Sequence, residues 1–216
     1  MDLGLVPGRW YAPANETDRL LSSQETEVFE ARCRTAGGGM FLGLQAALAM
    51  VMPKLGGPEV YRALMPVNDR GGDYAIGWFI NALPVEVAVR KTFTHTLAEA
   101  RKSYERAREH LGVHYLRAWR LLGGDARDGG YRPVNFFSYN DFRRAPSAEG
   151  NVHLWFSGSN GFMFWLHRDH YGLHVNSIYA DTSRTADIKG ALLRAFRREL
   201  AGRQESARAI IEDSSR

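Results

Sequence analysis

The chain has 216 residues, of which 44% are hydrophobic and 24% are charged, and these values exclude wholesale disorder and favour a globular protein with a real core. Its formal net charge of +4 is mildly basic, but Arg and Lys are spread among Glu and Asp, as in residues 101–109, and this lack of clustering argues against nucleic-acid binding. The single cysteine, Cys33, excludes an intrachain disulfide and a thiolate metal cluster. No apolar run reaches transmembrane length and the first residues lack a signal-peptide pattern, so we expect a soluble, cytoplasmic protein with no membrane span.

The first part of the chain predicts two helices. Residues 1–21 contain Gly, Pro and Asn with little periodicity, and we expect them to form an extended lead-in. Ser22 and Glu25 have the spacing of a capping box, which predicts a short amphipathic helix that ends at about Thr35. The run 40–52 is almost entirely apolar, and its length and Ala, Leu and Met content predict a buried helix.

A strand–turn–strand unit follows and is the part of the sequence most suggestive of a functional site. Strands are predicted over residues 59–67 and 79–89, and the turn between them contains Arg70 and two glycines. Asn81 is a lone amide in the apolar second strand, and leaving it buried without partners would cost roughly 1–3 kcal/mol. Two interpretations stay open for Asn81, a structural amide whose hydrogen bonds are satisfied and an amide that faces a polar cavity.

The second half predicts helices and then strands. Thr94 or Thr96 can cap a helix to about His110, and a shorter helix follows over 115–122. Strands are predicted over 134–142, 152–157, 161–168 and 173–179, with a hairpin turn at 169–172, before a helix over 184–202 and a polar tail over 204–216. The expected fold class is α/β in two layers (α+β), with a mixed, largely antiparallel sheet and helices packed on it.

Histidines are the obvious candidates for chemistry. His167, His170 and His174 could form a metal set, but such a site usually includes a carboxylate at a fixed spacing, and the sequence does not assign His167 and His174 to a common face, so we predict no metal site. His110 and His114 straddle a glycine and are no better. The sequence also lacks a nucleophile elbow, a phosphate-binding loop and a dinucleotide fingerprint. The residues alone therefore indicate an α/β domain without an assigned reaction.

Several motifs resemble those of a known superfamily in order and spacing. I-G-W-F-I-N-A-L-P (76–84) is close to an I-G-x-F-V-N-T-L-P motif, and F-S-Y-N-D-F-R-R-A-P (137–146) resembles V-S-Y-x-D-x-R-x-x-P. The buried helix 40–52 followed by P-V-N-D-R (66–70), and the strand F-M-F-W-L-H-R (162–168), support the match. Residues 22–203 resemble the C-terminal lobe of the condensation-domain superfamily. It has the chloramphenicol-acetyltransferase-like fold and includes nonribosomal peptide synthetase condensation domains and polyketide-associated acyltransferases.

The resemblance also implies which site residues to expect. In the superfamily the catalytic motif H-H-x-x-x-D-G lies in the N-terminal lobe, and this sequence contains no H-H pair, so no catalytic residue is expected in the chain. Arg70 matches an arginine that pairs with the Asp of that motif and has a structural role at the lobe interface. The remaining positions are expected to line the substrate tunnel between the lobes: Gly77, Phe79, Asn81, Ser138 and Asn140.

The implied reaction is transfer of an acyl group from a carrier-protein or coenzyme A thioester to an amine or alcohol, in secondary metabolism or lipid biosynthesis. The phosphopantetheinyl or coenzyme A thioester is the substrate, and no metal or redox cofactor is implied. The chain is expected to be inactive alone, and its expected partners are an N-terminal condensation lobe or a second copy, and an acyl carrier protein. The alternative is a non-enzymatic lobe that dimerises or docks a carrier protein or an acyl chain. A trimeric acetyltransferase fits less well, because residues 167–174 do not match its H-x-x-x-D-G motif.

Overall fold

The structure is a computed structural model that describes residues 2–6, 9–68, 80–121, 137–143, 158–159 and 161–202. The described residues form six strands and five α-helices, with one short 3₁₀ helix after the second α-helix. In chain order these elements are β1 (Pro13–Ser22), α1 (Ser23–Thr35), α2 (Met40–Val51), the 3₁₀ helix (Pro53–Leu55), β2 (Val60–Asn68), β3 (Ile80–Ala88), α3 (Phe93–Arg108), α4 (Tyr115–Leu121), β4 (Phe137–Asp141), β5 (Phe162–Arg168), β6 (Gly172–Ala180) and α5 (Ser183–Leu200).

The strands form two sheets. One has the order β1-β6-β5-β4, in which β1 and β5 are antiparallel to β6 and β4 is parallel to β5. The other is the antiparallel pair β2–β3, and β2 lies beside β4. The predicted α/β class with mixed, largely antiparallel pairing is confirmed, but the described strands are divided between two sheets, whereas one was expected.

Strand β1 was missed by the sequence analysis, which predicted only an extended lead-in over residues 1–21. It pairs with β6 over nearly its whole length, and the register shifts between Arg19 and Leu21. This irregularity leaves both Leu20 and Leu21 buried, so the apolar side chains do not alternate as they would in a regular half-buried strand. The rest of β1 is largely polar, and its pairing partner is far away in sequence, so local periodicity could not reveal it.

Helices α1 and α3 both begin with a side-chain cap, but the capping residue of α3 differs from the predicted one. The predicted capping box at the start of α1 is present, since Ser22 accepts from the Glu25 amide and Glu25 accepts from the Ser22 amide. Helix α3 is capped by Thr92, and the prediction of Thr94 or Thr96 was wrong. Thr96 is fully buried inside the helix, where its hydroxyl bonds the backbone of Arg90, so it is not available as a cap.

The predicted buried helix α2 is at the centre of the core, packed against α1, α3 and α5. Its approach to α1 is so close that a Cβ built on Gly43 would lie 2.1 Å from the Cys33 sulfur. The helices cover one face of the four-stranded sheet, and the side chains of Phe164, Leu166 and Val175 point into this core. The other face of that sheet carries the candidate site.

No single helix in the described ranges is long and apolar enough to cross a membrane; α1 and α2 together have the length and composition, but they meet at a 93° bend. The predicted turn around Arg70, the predicted strand over 152–157 and the polar tail lie outside the described residues.

Candidate functional site

The outward face of the four-stranded sheet brings together polar and aromatic side chains from three neighbouring strands. Side chains at paired positions of adjacent strands point to the same face, so the register assigns each residue to a row. One row contains Ser138, Trp165 and Asn176. The next row contains Asn140, His167 and His174. All of these side chains are half-buried except Asn140, which is exposed.

His167 and His174 are directly opposite each other on β5 and β6. Their rings are stacked, with centroids 5.2 Å apart and planes 12° from parallel, and the Phe142 ring lies 5.9 Å from His167. Burial lowers the pKa of His167, and the neighbouring His174 lowers it further. The unprotonated imidazole, which is the form that binds metals and accepts protons, is therefore favoured at His167.

Asp169 begins the hairpin turn that connects the two histidine strands. Its Oδ1 atom accepts hydrogen bonds from the amides of Tyr171 at 2.7 Å and Gly172 at 3.0 Å, so the predicted turn at 169–172 is confirmed. The same oxygen lies 3.2 Å from His174 Nε2. The sequence analysis overlooked this carboxylate, although Asp169 lies two residues after His167 in sequence and could have been counted with the histidines.

The buried end of β5 fixes this hairpin to helix α1. Arg168 points to the core face, is only 3% exposed, and donates through Nη1 to Glu30 Oε2 at 2.8 Å. The hydrogen bond from Arg168 lowers the pKa of Glu30, an effect that desolvation of the carboxylate opposes, and Arg34 contributes a second ion pair at 3.0 Å. The ion pair between Arg168 and Glu30 therefore fixes the end of β5, where the neighbouring residue His167 lies, against helix α1.

The side-chain amide of Asn81 has its hydrogen bonds satisfied within the chain, which is the first of the two interpretations offered for this residue. It is fully buried, and its Nδ2 donates to the carbonyls of Leu111 and Val113, both at 3.1 Å. Its Oδ1 accepts from the amides of Ala82 at 2.8 Å and Tyr115 at 3.0 Å. The amide thus ties β3 to the connection between α3 and α4, and its expected place on a substrate tunnel stays a prediction.

The other predicted site residues are divided between the sheets and the undescribed part of the chain. Ser138 and Asn140 are two residues apart on β4, on the face that also carries His167 and His174. Asn81 lies on the separate β2–β3 sheet. Arg70, Gly77 and Phe79 lie outside the described residues.

Helix α4 is the least buried helix of the described chain. None of its residues is buried, and Leu121 is 80% exposed. Leu116 on the same helix, Val113 just before it and Ile80 at the start of β3 are also exposed. An exposed set of aliphatic side chains of this kind is typical of a surface that another chain or segment covers.

A shallow basic depression lies at the start of helix α3. Arg90, Lys91, His95 and Lys102 line it, together with Glu99. Glu99 pairs with Arg90 at 3.4 Å and with Lys102 at 3.3 Å, so one carboxylate partly neutralises two of the three basic side chains, and Lys91 adds a third positive charge. The depression keeps a net positive charge and suits an acidic partner.

Known structures share this fold at low sequence identity, whereas no protein-family model and no curated protein sequence matches the chain. PapA2 acyl transferase is 21% identical, with a TM-score of 0.75 over 93% of this chain and 45% of that chain. The X-domain of teicoplanin biosynthesis, in a complex with OxyB, is 20% identical with a TM-score of 0.69 over 88% of this chain and 45% of that chain. The first condensation domain of the CDA synthetase is 20% identical with a TM-score of 0.70 over 92% of this chain and 46% of that chain.

The chain therefore spans a little under half the length of these relatives while nearly all of it is matched. This is the relation expected between one lobe and a two-lobed protein, and it agrees with the motif order found in the sequence. The chain therefore has the fold of about half of an acyl transferase or condensation domain of this kind.

Proposed function

We propose that this chain is the C-terminal lobe of a condensation or acyltransferase-type enzyme. The enzyme would transfer an acyl group from a carrier-protein or coenzyme A thioester to an amine or alcohol. The observation that carries the proposal is the structural match, which covers 93% of this chain and 45% of an acyl transferase. The sequence analysis supports it independently, through the motifs at 76–84 and 137–146.

In the proposed reaction, the histidine that acts on the nucleophile would come from the other lobe. The nucleophilic nitrogen or oxygen attacks the thioester carbonyl, the carbon–sulfur bond breaks, and the thiol leaves. A histidine of the H-H-x-x-x-D-G motif would remove or orient the nucleophile's proton, and this sequence has no H-H pair to do so. The chain alone should therefore be inactive, and no metal or redox cofactor is required for the transfer.

Arg70 would hold the joined site in shape. It follows Asn68, the last residue of β2, by two positions in sequence, and the planar guanidinium group is suited to bidentate pairing with the carboxylate of the catalytic motif. Ser138 and Asn140 would present hydrogen-bonding groups to the substrate from the outward face of the four-stranded sheet.

The test is an acyl-transfer assay of the purified chain, run with and without the polypeptide encoded immediately upstream. Turnover only in the mixture would support a split or divided enzyme, whereas turnover by this chain alone would overturn the proposal. Arg70→Ala should weaken association of the two polypeptides. Arg62→Ala is the matched control, because Arg62 lies on β2, which ends two residues before Arg70 in sequence, is exposed and pairs with Glu86 at 2.9 Å within this chain.

A non-enzymatic docking lobe is the second candidate, and the basic depression beside α3 favours it. Arg90, Lys91 and Lys102 would attract an acidic carrier protein through long-range electrostatics. Calorimetric titration with an acyl carrier protein distinguishes the candidates, because a docking lobe binds it without the upstream polypeptide. In that case Lys91→Glu should abolish binding and Arg70→Ala should leave it unchanged.

A further inference from the structure

We propose that His167, Asp169 and His174 form a binding site for a divalent first-row transition-metal ion of the zinc class. The site is on the β5–β6 hairpin, at the end of the outward sheet face. It does not depend on the acyl-transfer proposal, and it reverses the expectation of no metal site, which overlooked Asp169.

The spacing of the three side chains fits a tetrahedral ion. Each offers one ligand atom, and these atoms all lie within 4.8 Å of one another. Ligand atoms at about 2.0–2.1 Å from a tetrahedral zinc ion are about 3.3 Å apart. The separation of 3.2 Å between Asp169 Oδ1 and His174 Nε2 already matches that edge. The distances to the His167 nitrogen would have to shorten by at most about 1.5 Å, which a rotation of the imidazole ring can supply.

The backbone holds the ligands in place before any ion binds. His167 and His174 are paired across two adjacent strands and point to the same face. The Asp169 carboxylate is held by two turn amides, those of Tyr171 and Gly172, and supporting hydrogen bonds of this kind orient metal ligands in proteins. The two paired strands and their turn therefore present all three groups close together, and only the His167 ring has to turn toward the ion.

His174 has a buried ring nitrogen without a hydrogen-bond partner in the described part of the chain, and this observation supports a bound ion most directly. Its Nε2 atom is buried and has no hydrogen-bond partner among the described residues. Asp169 Oδ1 is near enough at 3.2 Å, but the geometry is not that of a hydrogen bond. A buried nitrogen without a partner is costly, and an ion bound between His174 and Asp169 would give this nitrogen a partner.

The charge and ligand count indicate the kind of ion. Two neutral imidazoles and one carboxylate are borderline ligands that suit Zn²⁺, Co²⁺ or Ni²⁺ better than Mg²⁺ or Ca²⁺. Three protein ligands leave a fourth position for water or an added ligand, on the face that also carries Asn140. Arg19, the β1 residue paired with His174, is exposed, and its positive charge would weaken binding without blocking it.

The test is a titration of the full chain, freed of metal by a chelator, with Co²⁺ followed by visible absorption. Wild type should bind one equivalent and give the intense bands of a tetrahedral ion, which Zn²⁺ should displace. His167→Gln, His174→Gln and Asp169→Asn should each weaken binding by at least about tenfold. Asp169→Asn keeps an oxygen for the two turn amides, so it tests the ligand without destroying the turn.

His170→Gln is the matched control, because His170 is exposed in the same turn and belongs to no group of metal ligands in the described chain. It should bind Co²⁺ as wild type does. Absence of tetrahedral Co²⁺ absorption in wild type would overturn the proposal by itself, whether or not the variants fold. Equal affinity of wild type and all three ligand variants would do the same. Far-ultraviolet circular dichroism of each metal-free variant separates loss of a ligand from loss of the fold.

Discussion

The amide of Asn81 provides the sharpest test of how this lobe is held together. The side chain is 0% exposed and forms four hydrogen bonds, three of which cross from β3 to residues 111–115. We expect Asn81→Ala to leave the buried Ala82 amide without its side-chain partner and to release the α3–α4 connection. At about 0.5–1.5 kcal/mol for each bond, and with water able to replace the exposed partners, the free energy of unfolding should fall by about 2–4 kcal/mol.

Urea unfolding followed by circular dichroism measures this loss, and Asn140→Ala is the matched control. Asn140 is exposed at the end of a strand, so its replacement should change stability by less than about 0.5 kcal/mol. Asn81→Asp should be at least as damaging as Asn81→Ala at neutral pH, because a carboxylate would face the carbonyls of Leu111 and Val113. If Asn81→Ala were as stable as the control, the hydrogen bonds would not hold this connection and our account of Asn81 would be refuted.

Three further predictions concern the core. Glu30→Gln removes the charged partner of the buried Arg168 and should cost about 2–4 kcal/mol in urea unfolding. Because folding lowers the pKa of Glu30 from 4.5, its contribution to the free energy of unfolding is present above about pH 4.5 and is lost as the pH falls through the pKa of the folded protein. In Glu30→Gln the free energy of unfolding should therefore fall less steeply as the solution is acidified. Gly43→Ala should lower the free energy of unfolding by about 1–3 kcal/mol, because the added methyl group would clash with Cys33. Gly190→Ala is the control and should be neutral or stabilising, because its methyl group would meet only the flexible end of an arginine. Equal effects of the two substitutions would contradict the close approach of α1 and α2. Burial raises the pKa of the Cys33 thiol to about 12, so a thiol reagent at pH 8 should label it only after unfolding, and rapid labelling of the native chain would show that this thiol is accessible.

The parts of the fold that the sequence predicted correctly are those specified locally. The capping box at Ser22 and Glu25, the apolar run of α2 and the turn at Asp169 each lie within a few neighbouring residues. Strand β1 was not predicted because its polar residues and the shift in its register hide the alternation, and its partners on β6 are 150 or more positions away in sequence. Non-local pairing of this kind leaves no local pattern to recognise.

In the candidate site, too, the sequence reveals local features but not those that depend on strand pairing. The three histidines could be found in the sequence, but their faces depend on the register between β5 and β6. Only that register places His167 and His174 side by side with Asp169 at the turn. The parallel pairing that brings Asn140 beside His167 likewise depends on a long connection between β4 and β5, which periodicity cannot predict.

Under the proposed function, this chain would supply one lobe of a two-lobed acyltransferase and the other lobe would supply the base. We would measure the initial rate of acyl transfer by a mixture of this chain and the upstream polypeptide. The comparison is the same mixture in which the second His of the H-H-x-x-x-D-G motif that the proposal assigns to that polypeptide is replaced by Ala. A positioned general base contributes about 10²–10⁴-fold, so we predict a fall of at least about 100-fold and no turnover from this chain alone. Equal rates in the two mixtures, or turnover by this chain alone, would contradict the account.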